Sequence, residues 1–271
     1  MSLRVTILGC GSSGGVPRPA LGWGACDPDN PKNRRRRCSL LVERLAEANG
    51  GPRTRVLIDT SPDLREQLID TQVDWLDGIF YTHEHADHTH GIDDLRALFI
   101  HKRRRLDAYV DEATSRMLSQ RFGYCFETPP GSSYPPILNE HRITAGTPVE
   151  IRGEGGAIAV MPFLQDHGDL PSLGYRFGPV AYSSDLVDLP AESVPALAGL
   201  DLWIVDALRY KPHPSHFSVD QALEWIARIG PKRAILTNMH TDLDYAELKA
   251  KLPPHVEPAY DGLSVLVGES H

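Results

Sequence analysis

The apolar positions of this chain fall into short blocks separated by polar or glycine-rich segments. Blocks at 4–8, 38–43, 54–59, 76–81 and 106–110 have the length and composition of strands. Residues 148–152 and 157–163 flank Gly153-Glu154-Gly155-Gly156 and predict an antiparallel pair. Further strands are predicted at 172–177, 180–184, 201–205, 233–236 and 264–267, with a turn across 46–52. Helical patterns run over 62–69, which starts on Pro62, and over 93–100. Two more cover 111–122 behind Asp111 and 218–229 behind Ser218, both residues that cap helix N-termini, and a short one covers 244–251. Segments 19–37 and 127–136 have no period. The first is long enough to predict a strap laid over a site, and the second, rich in Pro, Gly and Ser, a loop. The whole predicts one α/β domain over 1–271, two sheets flanked by helices, with a site along one sheet edge.

Polar side chains that bind metals recur at the predicted strand ends. The densest group is His83-Glu84-His85-Ala86-Asp87-His88, between a strand and a helix. Imidazole and carboxylate donors suit zinc, manganese or iron. Alternate residues of an extended segment share a face, so His83 and His85 are expected to point at one ion. Asp87 and His88 are then expected to turn towards a second. Asp59, His167, Asp185, Asp206 and His240 also stand at or just beyond strand ends.

Composition removes several function classes. The chain has 271 residues, 41% hydrophobic and 24% charged, enough for one sizeable core. A net charge of −8 argues against a general nucleic-acid surface. No apolar run is long enough to span a bilayer, and the N-terminus has no signal-like region, so a cytoplasmic location is the expectation. Cys10, Cys26, Cys38 and Cys125 are scattered, which predicts free thiols. The first strand runs into Gly9-Cys10-Gly11-Ser12-Ser13-Gly14-Gly15-Val16-Pro17-Arg18. Such a loop lets backbone N–H groups face an anion, and it makes Ser12, Ser13 and Arg18 candidate substrate contacts. It is neither of the common nucleotide-binding glycine motifs. The Arg34–Arg37 run reads as a solvated basic face, with phosphate contact as the alternative. A subunit partner is a further alternative for this run, and for 102–105 the readings are phosphate contact or a subunit partner.

These strand-end residues, in this order, resemble the metallo-β-lactamase superfamily, and the resemblance covers nearly the whole chain. It implies an αββα sandwich and a dinuclear metal centre. Within the superfamily the chain most resembles the phosphodiesterase branch, which includes tRNase Z and the cyclic-phosphate phosphodiesterase of the carbon–phosphorus lyase pathway, and the opening Leu8–Pro17 stretch resembles the start of the latter group. By resemblance, His83, His85 and His167 hold one ion. Asp87, His88 and His240 hold the other, Asp185 bridges them, and Asp59 supports the ligands by hydrogen bonding. With two divalent ions and a bridging hydroxide, such a centre keeps about one positive charge, which suits a phosphodiester anion. His216, followed by Phe217 and Ser218, matches the branch's general acid, and Asp206 its orienting carboxylate. His213 is the alternative acid. An extra structural zinc involving Cys26 is a further possibility of the resemblance.

The resulting expectation is a metal-dependent hydrolase, a phosphodiesterase of a small cyclic nucleotide or phosphoribosyl cyclic phosphate, with zinc or manganese and with iron possible. A homodimer is expected from the resemblance alone. Two other functions remain open: tRNA 3′-end processing, and non-catalytic nucleotide binding on the same fold. β-Lactamase and thioesterase roles are disfavoured by Asp87 and the Asp206/His216 pair. A redox diiron role is disfavoured because His85 stands where that branch carries a carboxylate.

Overall fold

The computed structural model describes residues 2–47 and 50–268, so His271 and part of the predicted 46–52 turn lie outside the described residues. In chain order come β1 (Ser2–Gly9), β2 (Ser39–Glu47), β3 (Gly50–Ile58), α1 (Leu64–Asp70), β4 (Gly78–Phe80), α2 (Ala86–Thr89), α3 (Arg96–Lys102), β5 (Leu106–Val110), α4 (Glu112–Phe122) and β6 (Leu138–Arg142). The second half has β7 (Val149–Gly153), β8 (Gly156–Asp166), β9 (Pro171–Phe177), β10 (Val180–Ser183), β11 (Leu202–Asp206), α5 (Val219–Ile229), β12 (Arg233–Thr237), α6 (Tyr245–Lys251), β13 (Val256–Pro258) and β14 (Ser264–Gly268).

The strands form two seven-stranded sheets, ordered β14-β1-β2-β3-β4-β5-β6 and β13-β12-β11-β10-β9-β8-β7. Each is mixed: β1, β2 and β3 pair antiparallel before β3 to β6 run parallel, and β7 to β10 pair antiparallel before β10 to β13 run parallel. Period-two alternation divides the first sheet's side chains between two cores. Leu40, Val42, Val56, Ile58 and Phe80 pack towards the second sheet, whereas Leu41, Leu57, Ile79 and Tyr81 pack with Leu64, Leu68, Leu98 and Leu118 of the helices. On the second sheet, Ala222 and Ile226 of α5 and Leu248 of α6 belong to the same continuous buried cluster. This is the expected αββα sandwich.

Local chemistry explains most element ends. Asp111 accepts the N–H of Thr114 at the start of α4, and Ser218 with Gln221 forms a reciprocal capping box on α5. Gly230 ends α5 in the left-handed region at φ +68°. Three differences from expectation stand out. β6 and β13 carry no apolar alternation, since β6 is a polar edge strand and β13 has three residues. The helix expected over 93–100 is a 3-10 turn at Ile92–Leu95 followed by α3. A separate helical turn, α2, already begins at Ala86 inside the histidine stretch.

Of the Arg34–Arg37 run only Arg34 is exposed as expected, and the other three correct the solvated reading. Arg35 is 2% exposed, Arg36 pairs with Asp261 and Asp70, and Arg37 pairs with Asp63. Arg35 donates to the carbonyls of His240 (3.2 Å) and Leu243 (2.6 Å) and to Asn33 Oδ1 (3.3 Å), and lies 3.8 Å from Cys26 Sγ. Asn33 in turn donates to Asp244 (2.6 Å) and accepts the Tyr245 N–H (2.8 Å). The strap is therefore tied to the segment that follows β12. Its sequence hides this because buried guanidinium needs acceptors that come from about two hundred residues away.

Candidate metal centre

The site lies beyond the C-terminal ends of β3, β4, β8, β10, β11 and β12. Strands β3 and β4 are parallel neighbours, as are β10, β11 and β12, so their ends are brought to one rim by register. Binding at the carboxyl ends of such strands is the common arrangement in α/β sheets. Asp59, Asp185 and Asn238, at three of these ends, have φ of +64°, +52° and +60°. Side chains other than glycine rarely adopt this backbone, and it concentrates at functional sites.

Two groups of ligand-type atoms converge: His83, His85, His167 and Asp185 in one, and Asp87, His88 and Asp185 in the other. His83 Nε2 is 2.9 Å from His85 Nδ1, and His167 Nε2 is 3.4 Å from the same atom. Asp185 belongs to both groups through different oxygens. Its Oδ2 is 3.8 Å from His83 Nε2 and 3.7 Å from His167 Nε2, and its Oδ1 is 3.3 Å from His88 Nε2. Asp87 Oδ2 lies 3.5 Å from His88 Nε2. Asp87 and His88 reach this place because α2 turns the chain immediately after His85.

The opposite ring nitrogens are held from behind. His88 Nδ1 is 2.7 Å from Asp59 Oδ2, His83 Nδ1 is 2.9 Å from Thr82 Oγ1, and His167 Nδ1 donates to the Ser215 carbonyl at 2.7 Å. Asp59 also accepts the Thr82 N–H and hydroxyl, each at 2.8 Å. Such contacts orient imidazoles for metal binding. Thr82 and the Ser215 carbonyl had no sequence signal, since a lone hydroxyl beside a histidine and a backbone carbonyl leave no pattern.

The donor set fits divalent cations. His88 Nε2 is buried and has no hydrogen-bond partner, although it faces two carboxylates. Burial opposes charge on His88, but Asp185, Asp59 and Asp87 outweigh it and hold its pKa well above the ordinary range. Three carboxylates, Asp59, Asp87 and Asp185, thus surround one imidazole, a setting that favours a cation. Burial and then the neighbouring His88 hold His83 well below its ordinary pKa, in the neutral form that a ligand needs. The His/Asp cluster fits a dinuclear divalent metal site.

His216 and Asp206 stand beside this cluster. His216 Nδ1 is 2.8 Å from Asp206 Oδ2, and its ring centroid is 4.8 Å from that of His167. His213 instead turns its Nδ1 to Ser215 and lies 5.0 Å, ring to ring, from His216. The glycine loop approaches from the other sheet, with Gly11 bridging both Arg37 and Met239. A β-carbon at Gly9 would lie 2.0 Å from the Arg37 carbonyl, so only glycine permits this approach. Ser12 is buried and accepts from Arg18 Nη2 at 3.0 Å, whereas Ser13 is exposed. His90 lines a recess of about 670 Å³ with His85, Ala86, Arg121 and Phe122.

His240 is the exception among the expected ligands. The structure brings it to neither group: its Nδ1 lies 3.1 Å from Thr241 Oγ1 and 3.4 Å from Asp242 Oδ1. The side chain from this strand end that reaches the cluster is Asn238, 3.0 Å from Asp185 Oδ1. Cys26 forms no metal-type cluster among the described residues, and its thiol faces the carbonyls of Thr241 and Leu243. All four cysteines are free and buried.

Layered sheets with a two-position His/Asp site at the strand ends define a metallo-hydrolase fold. A family model described as the beta-lactamase superfamily domain matches residues 54–239. The chain belongs to that superfamily. A crystal structure of a diphosphatase from the PhnP family is 34% identical, with a TM-score of 0.86 over 98% of each chain. Human short-form tRNase Z shares the fold, with 18% identity and a TM-score of 0.63 over 97% of this chain and 98% of that one. A Porphyromonas gingivalis protein named octanoyltransferase is 35% identical over 98% of this chain. The chain spans 52% of that protein's length. Among the described residues, no helix is long and apolar enough to cross a membrane.

Proposed function

We propose that the protein is a two-metal phosphodiesterase acting on a small nucleotide-like or phosphoribosyl cyclic phosphate. The observation that carries this reading is the Asp206–His216 pair beside a two-position ligand cluster. His83, His85 and His167 would hold one ion, Asp87, His88 and His240 the other, and Asp185 both. Zinc and manganese are the expected metals, with iron also compatible with these donors. When bound, such ions polarise a phosphoryl oxygen and acidify a water.

The chain's own residues supply the rest. Asp59, Thr82 and the Ser215 carbonyl orient the imidazoles. His216, held by Asp206, hands a proton to the departing oxygen. Arg18, braced on Ser12, offers a cation to a phosphate at the glycine-loop side of the rim. A cytoplasmic location and a homodimer belong to the same reading.

The name of the PhnP-family relative supports a second reading, cleavage of a diphosphate bond. A departing phosphate is far less basic than an alkoxide, so an acid such as His216 matters most for ester substrates. Its presence favours the phosphodiester. The curated relative's name refers to acyl transfer, for which a thiol nucleophile is one route. Here every thiol is buried, and burial raises the pKa of Cys10 well above its ordinary value and that of Cys125 to about 12. These thiols are poor nucleophiles.

Hydrolysis of bis-p-nitrophenyl phosphate by protein loaded with Zn²⁺ or Mn²⁺ tests the class. Cyclic nucleotides, ribosyl cyclic phosphate, nucleoside diphosphate esters and pre-tRNA then test the substrate. A fully metallated sample inactive on all of them would leave only nucleotide binding. Preferred cleavage of pre-tRNA would favour tRNA 3′-end processing instead.

A further inference from the structure

The recess beside His85 takes no part in the chemistry described so far. It measures about 670 Å³ and is lined by His85, Ala86, His90, Arg121 and Phe122. A volume of that order suits a small organic ligand. Arg121 and Phe122 are the last residues of α4, and His90 follows α2, with its N–H on the Ala86 carbonyl. The His90 and Phe122 rings meet edge to face, with centroids 5.3 Å apart and planes at 78°. Phe122 also packs against the helix-side core, which holds its ring in place. Arg121 Nη1 donates to the Glu84 carbonyl at 2.8 Å and ties the end of α4 to the ligand loop.

The recess opens on the metal centre through His85. That residue lines it and also belongs to the ligand cluster, with Nδ1 2.9 Å from His83 Nε2. Ring centroids step from His216 to His167 (4.8 Å) and from His167 to His85 (5.2 Å). A phosphate held at the centre therefore has the proton donor next to His167 and the recess next to His85. No carboxylate lines the recess, although the chain carries a net charge of −8. A phosphate-bearing molecule meets no like charge there. Two aromatic rings and a guanidinium plane offer stacking surfaces, which hold a base whatever its hydrogen-bonding edge. A sugar, whose hydroxyls need hydrogen-bond partners when buried, fits such walls poorly.

We propose that this recess is the subsite for an aromatic base carried by the substrate, with Phe122 as its stacking wall. The preferred substrate is then a nucleotide-like phosphodiester rather than a bare sugar cyclic phosphate. This rests on the phosphodiesterase reading of the metal centre.

Paired kinetics on a cyclic adenosine phosphate and on ribosyl cyclic phosphate test it, with protein variants at equal Zn²⁺ or Mn²⁺ content. The natural protein should favour the adenosine compound in kcat/KM by roughly tenfold or more. Phe122→Ala should lower kcat/KM at least roughly tenfold more for that compound than for ribosyl cyclic phosphate, chiefly through KM. Calorimetry gives a readout without turnover: adenosine monophosphate should bind more tightly than ribose phosphate, and Phe122→Ala should remove the difference. If that variant does not fold, His90→Ala removes the opposite wall from an exposed position and should act in the same direction. Equal kcat/KM on the two substrates, or equal losses on both in a folded variant, would overturn the subsite and leave the phosphodiesterase reading standing. Hydrolysis of neither substrate, with a Phe122-dependent preference for adenosine monophosphate retained, would support the subsite and overturn the phosphodiesterase reading.

Discussion

His216 Nδ1 lies 2.8 Å from Asp206 Oδ2, and the same carboxylate oxygen accepts the Leu186 N–H at 3.1 Å. Asp206 has no solvent exposure, so its charge is compensated by these contacts alone. The bond occupies Nδ1 and leaves Nε2 as the nitrogen that can exchange a proton with a substrate.

Removal of that imidazole should show its role. His216→Ala is expected to lower turnover on an alkyl phosphodiester by roughly 10²–10⁴-fold while metal content stays constant. A smaller loss is expected on substrates with an acidic leaving group. Metal analysis alongside steady-state kinetics checks this; unchanged turnover, or loss of metal, would count against His216 as the acid.

The pH profile should depend on Asp206. Burial opposes charge on His216, but the charge and hydrogen bond of Asp206 override it and raise the pKa to about 9. The protonated form is the proton donor, so activity should fall as pH rises through an alkaline limb. Nearby divalent ions disfavour imidazolium and will place that limb at or below about 9. Asp206→Asn should move the limb to lower pH, which a kcat/KM profile would reveal. An alkaline limb that stays in place would separate Asp206 from the titrating group.

Asp59 should control metal affinity without touching metal. Its Oδ2 holds His88 Nδ1 at 2.7 Å and so directs Nε2 into the cluster. Asp59→Ala is expected to weaken metal binding by roughly 10–100-fold. Competition with a chromogenic chelator measures it, and wild-type affinity would refute the orienting role. Asp59→Asn, which keeps an acceptor, should lose less.

Arg35 should matter to stability rather than to catalysis. Arg35→Met would leave the carbonyls of His240 and Leu243 without the donors they now have. The expected loss is about 3 kcal/mol, read from urea unfolding. Lysine cannot reproduce the planar set of donors, so Arg35→Lys should rescue only part of it. A solvated basic residue would give a change near zero.

The sandwich was largely legible because its signals are local. Apolar runs within 54–59 and 76–81 marked strands, and Asp111 and Ser218 marked helix starts. β6 escaped because its polar edge has no alternation to detect, and β13 because it is three residues long. The His83–His88 stretch was legible for the same local reason, since four ligand-type side chains lie within six residues.

Position 238 and position 35 mark the boundary. The sequence by itself determined the order of elements, the polar strand ends and the chemistry available there. That the amide at the end of β12 meets Asp185 was decided by the left-handed turn at Asn238. Whether an arginine run meets water or protein was decided by the carbonyls that the 240–243 segment presents. Both depend on contacts between distant residues, and a burial that needs a remote partner leaves no period in the local sequence.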